Sequence, residues 1–466
     1  MGWTFYIVVV SVWILMQRSQ PVATLSWLLS MAALPVVGLM VYYYFGPQRM
    51  KRQRIKRLRS RKRSRVRASM QRLRERMLQV DLRVHQVAQL VTATSEFPVS
   101  TASAMQLLVG GAATFDAIAE AVSAARHHVH LEYYIYEPDQ TGTALRDLLI
   151  EKARAGVQVR LLVDALGSKK LNAKFLQPLL DAGAEVARFH DAKVGRRLRP
   201  VINFRTHRKI LVCDGKVGFV GGVNVTDEEN ERILSNAYHD VHLRVEGAVV
   251  NWLQTVFMED WAYALDKDPL SIPVDLDALL PDAEDGKLPM QLITSGPDSG
   301  LQAIYRAHLA AIHAAEQRIW LTTPYFVPTE AALAALTNAA LRGVDVQILV
   351  PRKSDSALVT AAARSYFDEL IRCGVRVYEY KARMLHSKTL VVDDNMAIIG
   401  TANFDYRSFF LNYEVCLIGY GEALNADLAR QFQRDLLQSQ RVRYKSEKGW
   451  GRRLFGSVAR LSSPLL

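Results

Sequence analysis

One eighteen-residue pattern, H-x-K-x4-D-x6-G-x2-N, occurs twice in this chain and constrains its fold more than any other feature. The first copy holds His207, Lys209, Asp214, Gly221 and Asn224; the second holds His386, Lys388, Asp393, Gly400 and Asn403. The sequence leading to each copy repeats as well. HHVHLEYYIYE, TGTALRDLLIEKARAG and VQVRLLVDAL precede the first, and QRIWLTTPYFVP, EAALAALTNAALRG and VDVQILVPR precede the second. Apolar, β-branched runs alternating with helix-period segments are the pattern of an α/β sheet. Gly156 and Gly343 each close a helix before a V-x-V strand, and a second helix-to-strand step follows at Gly183 and Gly374. A period as long as that from His207 to His386 excludes a solenoid repeat and indicates a duplicated domain.

The spacing has a chemical reading. Side chains two apart on a strand share a face, so each His and Lys of the motif project together. Lys209 and Lys388 are then placed to hold phosphate oxygens while His207 and His386 act on phosphorus. Asn224 and Asn403 would donate further hydrogen bonds to the substrate, and Gly221 and Gly400 would allow close approach of a ligand. Asp214 and Asp393 complete the motif set, but an offset of seven from the histidine points them away from the imidazole. A structural or indirect role is expected for both. An imidazole that attacks phosphorus must be neutral and oriented through its other nitrogen. Asp240 and Glu414 are the candidates for that supporting role, at equivalent points of the repeat in AYHDVHLRVEG and LNYEVCLIG.

The formal net charge of +13 is local, because residues 49–76 hold fifteen Lys and Arg against the single acid Glu75. Before that stretch lie two uncharged apolar runs, Trp3 to Met16 and Leu25 to Phe45. The second has 21 residues, and about 20 at 1.5 Å each match a hydrocarbon core of about 30 Å. The first lacks a charged leader and a clear A-x-A site, which favours a transmembrane helical hairpin over a cleaved signal peptide. Trp3, Tyr42, Tyr43 and Tyr44 lie where an interfacial aromatic belt would. Basic residues flanking the second run put that flank, and everything after it, in the cytoplasm. The basic stretch itself reads as attraction to anionic lipid or as a plain topology signal.

These features divide the chain into a transmembrane hairpin (1–46), a basic juxtamembrane segment (47–95), a first lobe (96–265), a linker (266–290), a second lobe (291–440) and a basic, partly apolar tail (441–466). The linker contains Pro269, Pro273, Pro281 and Pro289 with seven acidic residues. Cys213, Cys373 and Cys416 sit in apolar runs without metal-site spacing and read as reduced core residues. His308 falls on the apolar face of a helix starting near Leu301 and reads as core. The tail, with Trp450, Leu454, Phe455 and Leu461, would lie either on the bilayer surface or against the second lobe.

The paired motif resembles the phospholipase D superfamily. The apolar amino-terminal run ending LPVVGLMVYYYFG, the stretches LEYYIYEPDQTG, NFRTHRKI, TTPYFVPTEAAL and RGVDVQILVP, and the ending SPLL are similar to bacterial cardiolipin synthases. The resemblance implies two phospholipase D-like lobes, each a mixed sheet flanked by helices, related by a pseudo-twofold axis. It also implies a multi-pass enzyme of the bacterial inner membrane that makes cardiolipin and glycerol from two phosphatidylglycerol molecules, with no metal or nucleotide cofactor. One histidine forms a phosphatidyl-histidine while the other serves as acid and then base. By analogy His207 is the nucleophile, although the near-symmetric motifs leave the reverse assignment open. A phospholipase D hydrolase releasing phosphatidic acid is the alternative from the same residues. A membrane-tethered nucleic-acid binder is the alternative from another class, and it leaves both motifs unexplained; no nucleic-acid partner is expected.

Overall fold

A computed structural model describes residues 2–16, 21–38, 42, 82–190, 204–267, 272, 275–282, 286–443 and 459–460. Its centre is a pair of sheets with one topology. The first sheet runs in the order β2 (Ala104–Val109), β8 (Val241–Glu246), β7 (Val217–Gly221), β6 (Lys209–Cys213), β3 (His128–Tyr133), β4 (Gln158–Asp164), β5 (Glu185–Phe189). The second runs β1 (Ser100–Ala102), β9 (Leu288–Ser295), β17 (Glu414–Tyr420), β15 (Met396–Gly400), β14 (Thr389–Val392), β10 (Arg318–Thr322), β12 (Asp345–Pro351), β13 (Arg376–Tyr380), β18 (Ser439–Arg441). Without its edge strands β1 and β18, the second sheet repeats the first position for position. In both, the three strands linked by helices are parallel, while the three that carry and follow the motif, and the strand that opens the lobe (β2 or β9), are antiparallel. Parallel neighbours need a crossover helix, whereas the motif strands β6–β7 and β14–β15 are joined by a tight turn. A two-stranded ribbon of β11 (Phe326–Val327) and β16 (Phe404–Asp405) lies apart from the sheets.

Local sequence dictates the crossover units. Asp139, Asn172, Thr329 and Ser356 each accept a backbone N–H of the first turn of the helix that follows, which supplies an acceptor for one of the donors that the helix start leaves without a partner. At the other end Gly156, Gly183, Gly343 and Gly374 adopt φ of 86°, 95°, 94° and 95°. That left-handed turn reverses the chain into the next strand at no steric cost to glycine.

The two sheets face each other. Ile210, Val212, Val220, Leu243 and Val245 of the first share one buried cluster with Val391, Ala397, Ile399, Val415 and Leu417 of the second. Helices Val249–Leu265 and Glu422–Leu437 join that layer. Each fully buried aliphatic side chain is worth about 2 kcal/mol, so the lobes form one folding unit. The outer face of each sheet is covered by its crossover helices.

Several sequence boundaries shift. Helix Leu82–Ser95, assigned above to the basic segment, packs through Val84, Val87, Ala88 and Val91 into the core of the second lobe. Strand β1, assigned to the first lobe, pairs with β9 of the second sheet, so residues 82–102 belong with the later half of the chain. The linker contributes Ile272 and Leu279 to a buried cluster with Phe257 and Trp261. Of the cysteines, Cys213 and Cys416 are buried and Cys373 is only partly so; all three are free. His308 is buried, with Nδ1 2.8 Å from the Ile304 carbonyl. Ala459 of the tail is buried against the second lobe and the Arg460 guanidinium sits over the Tyr366 ring. The basic run 49–76, Tyr43, Tyr44, Trp450, Leu454, Phe455 and Leu461 lie outside the described residues.

At the amino terminus, helices Gly2–Leu15 and Pro21–Ala33 pack on each other around Val10, Ile14 and Met31, with the Tyr42 ring against Trp13 and Trp27. The run from Leu25 is broken before Pro35 rather than continuous, as expected where proline removes a backbone donor. Among the described residues, no helix is long and apolar enough to cross a membrane.

Candidate active site

The site is built where each lobe pairs its backbone with the other. Thr206 forms a parallel bridge with Tyr413, and His239 forms one with Leu385. In the first, His207 N–H donates to the Tyr413 carbonyl (2.9 Å) and Tyr413 N–H to that of Arg205 (2.8 Å). In the second, His239 N–H donates to Met384 (2.7 Å) and His386 N–H to His239 (2.8 Å). Each motif histidine is thereby held next to the residue following the bridge in the opposite lobe. His207 Nδ1 lies 2.9 Å from Glu414 Oε2, and His386 Nδ1 lies 2.6 Å from Asp240 Oδ2. The two supporting carboxylates are thus exchanged: each lobe orients the imidazole of the other.

An ionised carboxylate only accepts hydrogen bonds, so each Nδ1 carries the proton it donates and each Nε2 is left for chemistry. Burial would raise the Glu414 carboxyl, but His207, Lys209 and the Thr401 hydroxyl (2.5 Å) hold it below its usual range. Asp240 is likewise held low against burial by Lys388 and His386. The two imidazoles then differ. Burial pushes His207 down to about 4, outweighing Glu414, so it is neutral at pH 7. At His386 burial and Lys388 act in the same downward direction, but Asp240 and Glu229 overcome them and raise it.

The motif lysines lie beneath the imidazoles. Lys209 Nζ donates to the His207 carbonyl (2.9 Å), and Lys388 Nζ donates to the His386 carbonyl and lies 3.5 Å from Asp240 Oδ2. Both are buried. Burial, then the neighbouring Lys388, lowers Lys209 to about 7, and burial also lowers Lys388. Asp240, Glu229 and Glu414 act on both lysines in the opposite direction, so the ammonium charge is balanced by carboxylates of both lobes. Tyr134 borders the site, its ring 4.9 Å from that of His207 and 5.2 Å from Lys209 Nζ.

The remaining motif positions hold the frame. Asp214 faces away from His207: in a left-handed turn (φ 54°) its carboxylate accepts the N–H groups of Arg126, His127 and His128 at 2.8, 2.8 and 2.9 Å. Asp393 does the same for Glu316, Gln317 and Arg318. Both therefore tie the β-hairpin turn to the start of the neighbouring strand, and neither touches an imidazole. Gly221 and Gly400 admit a neighbouring strand rather than a ligand, since an added Cβ would stand 2.7 Å from His242 Cα and 2.4 Å from the Val415 carbonyl oxygen. The glycine that bears on the chemistry is Gly222, where a Cβ would lie 2.2 Å from both Asp240 oxygens. Asn224 Oδ1 accepts the Ile135 N–H (3.3 Å) and its Nδ2 donates to Glu229 (3.0 Å). Asn403 donates its N–H to the Ser408 hydroxyl (3.1 Å) while its buried Oδ1 has no protein partner.

Glu229 is the site residue that sequence reading missed. It is 1% exposed and its Oε1 lies 3.4 Å from His386 Nδ1. Aligning the two repeats five positions beyond the asparagines, where Glu229 faces Ser408, would have exposed it. Glu229, Asp240 and His386 offer ligand atoms within 4.8 Å of one another, but the Lys388 ammonium already supplies the positive charge there.

Two lobes that exchange carboxylates to present paired imidazoles over paired lysines define a phosphodiester-transfer site of the phospholipase D type. Sequence comparison narrows the class. The profile described as "Cardiolipin synthase, PLD-like domain" matches residues 118–261 and 308–436, and "Phospholipase_D-nuclease N-terminal" matches residues 5–47. The chain is 38% identical to cardiolipin synthase 1 of Bacillus anthracis over all of its own length and 93% of that protein's. It is 40% identical to the cardiolipin synthase of Geobacillus sp. (strain WCH70), over 97% of this chain and 90% of that one. The crystal structure of the phosphatidylserine synthase of Haemophilus influenzae Rd KW20 shares the fold, with a TM-score of 0.63 at 13% identity over 82% of this chain and all of that one. The chain belongs to the phospholipase D-like cardiolipin synthase family.

Proposed function

We propose that this protein transfers a phosphatidyl group from one phosphatidylglycerol to the free glycerol hydroxyl of a second, giving cardiolipin and glycerol. The observation that carries the reading is the pair of cross-lobe histidine–carboxylate couples above two buried lysines. His207, neutral, attacks phosphorus through Nε2; the bond from phosphorus to the glycerol oxygen breaks, and that oxygen takes the Nε2 proton of His386. The incoming hydroxyl then gives its proton to His386 and attacks phosphorus. The phosphorus–nitrogen bond breaks and both histidines return to their starting state. Lys209 and Lys388, with Asn224 and Asn403, stabilise charge on the phosphoryl oxygens.

The amino-terminal helix pair is read as the membrane anchor, with the lobes on the cytoplasmic side of the bacterial inner membrane. Support comes from the outward-facing Val9, Val12, Leu15, Leu25 and Leu29, which would be costly to expose to water. Anchoring of this kind would hold the site beside lipid acceptors, which favours a lipid hydroxyl over water.

The test is lipid analysis of membranes holding wild type, His207→Ala or His386→Ala, supplied with labelled phosphatidylglycerol. Cardiolipin and glycerol are expected from wild type alone. Phosphatidic acid without cardiolipin would assign the protein as a hydrolase, and product unaffected by either substitution would overturn the shared site.

A further inference from the structure

The two halves of the site are not chemical copies, and one position separates them. Five residues past Asn224 stands Glu229, and five past Asn403 stands Ser408. Each turns back on its own asparagine: Glu229 Oε1 accepts from Asn224 Nδ2 at 3.0 Å, and Ser408 Oγ accepts the Asn403 N–H at 3.1 Å. Only Glu229 also brings a charge to a histidine, with Oε1 3.4 Å from His386 Nδ1 beside the 2.6 Å bond to Asp240. Its other oxygen, Oε2, is buried without a hydrogen-bond partner. Among the described residues the carboxylate beside His207 is Glu414, and Ser408 at the matching place is neutral.

We propose that Glu229 is a positioning residue that gives His386 the proton-donating role and leaves His207 as the nucleophile. The proposal rests on the phosphatidyl-transfer reading above. Asp240 and Glu229 both stand beside His386, with Oδ2 and Oε1 at 2.6 and 3.4 Å from its Nδ1. The second carboxylate there decides which imidazole carries the proton that the transfer needs. The groups facing His386 are Asp240 and Glu229 from the first lobe, Lys388 from its own motif, and the Tyr238 ring at 5.6 Å. Those facing His207 are Glu414, Lys209, Lys388 and Tyr134. Only the first group holds two carboxylates against one cation. In the forward half-reaction the Nε2 proton of His386 passes to the glycerol oxygen as its bond to phosphorus breaks and the bond from phosphorus to His207 Nε2 forms. In the second half-reaction that proton returns from the incoming hydroxyl. An unpaired buried carboxylate costs stability, and Glu229 is tolerated because the imidazolium it favours neutralises it.

The test uses the full chain in vesicles of phosphatidylglycerol and compares kcat against pH for wild type, Glu229→Gln and Glu229→Asp. Glutamine keeps the size and the acceptor for Asn224 but removes the charge. In Glu229→Gln the alkaline limb is expected to move down by about one pH unit, with kcat above the limb falling about tenfold. KM should change little and the loss should largely disappear on the acid side, while Glu229→Asp retains most of the wild-type profile. A purely structural Glu229 would lower kcat equally at every pH, and an unchanged profile in Glu229→Gln would equally overturn the proposal. Where Glu229→Gln fails to fold, mapping the acid-quenched intermediate of wild type with phosphorus-labelled phosphatidylglycerol decides the matter. Label on the His207 peptide is expected; label on His386 would sink the assignment while the transfer reaction stood. Wild type that yields no cardiolipin would instead refute the transfer reading.

Discussion

Glu414→Gln isolates the charge that one lobe lends to the other's histidine. Glu414 is fully buried, and its Oε2 lies 2.9 Å from His207 Nδ1 and 2.5 Å from the Thr401 hydroxyl, while Oε1 accepts from Asn412 Nδ2 at 3.1 Å. A glutamine can keep its oxygen toward His207 and Thr401, which preserves the imidazole orientation. Its amide NH2 then meets the Asn412 amide, and a flip of Asn412 turns Oδ1, buried without a partner, into the acceptor required. The substitution therefore costs little packing and removes one negative charge. That charge matters when bond formation to phosphorus makes His207 positive. Two unit charges about 4 Å apart at an effective dielectric constant of about 20 attract by about 4 kcal/mol, and 1.36 kcal/mol is about tenfold in rate. The kcat for cardiolipin formation should fall by about a thousandfold with KM nearly unchanged, because the resting imidazole is neutral and gains little from the charge. Turnover of labelled phosphatidylglycerol, with the thermal midpoint followed in parallel, is the assay. A midpoint near wild type with kcat within about threefold of it would refute the electrostatic argument.

Gly222→Ala should damage the other couple by steric means, because the new Cβ would lie 2.2 Å from both Asp240 oxygens and drive the carboxylate off His386. A loss of at least about a hundredfold in cardiolipin formation is expected with an overpacking cost of about 1–3 kcal/mol in a thermal melt; near-normal activity would mean that Asp240 does not need its observed position. The pH profile of wild-type kcat/KM follows from the two imidazoles and Lys209. His207 is held down to about 4 by burial, so its lone pair stays free well below the ordinary histidine range and activity should decline only as pH falls through that value. An acid limb near the unperturbed value of about 6.5 would show that the nucleophile is not His207 in this environment. On the other side, activity should fall as Lys209, lowered to about 7 by burial and Lys388, and His386, which Asp240 and Glu229 raise against burial, lose their protons.

Much of this molecule was legible from residues close together in sequence. The motif spacing located both histidines and lysines, the recurring helix–Gly–strand steps marked two lobes of one topology, and an odd offset was enough to turn Asp214 and Asp393 away from the imidazoles. Asp240 and Glu414 could be picked by their matching places in the repeat. Those features are local, fixed by the alternation of strands, the conformational freedom of glycine and the length of connections. What sequence could not show is what stands opposite. That Glu414 serves His207 and Asp240 serves His386 depends on two backbone bridges between lobes, Thr206 to Tyr413 and His239 to Leu385. The placement of residues 82–102 with the second sheet depends on β1 finding an open edge at β9. Glu229 reaches His386 only because the lobes close on each other. Pairing partners distant in the chain are chosen by which apolar faces bury together, and the repeat specifies two such faces without saying which side chains will meet across them; the asymmetry between two nearly identical histidines was decided there.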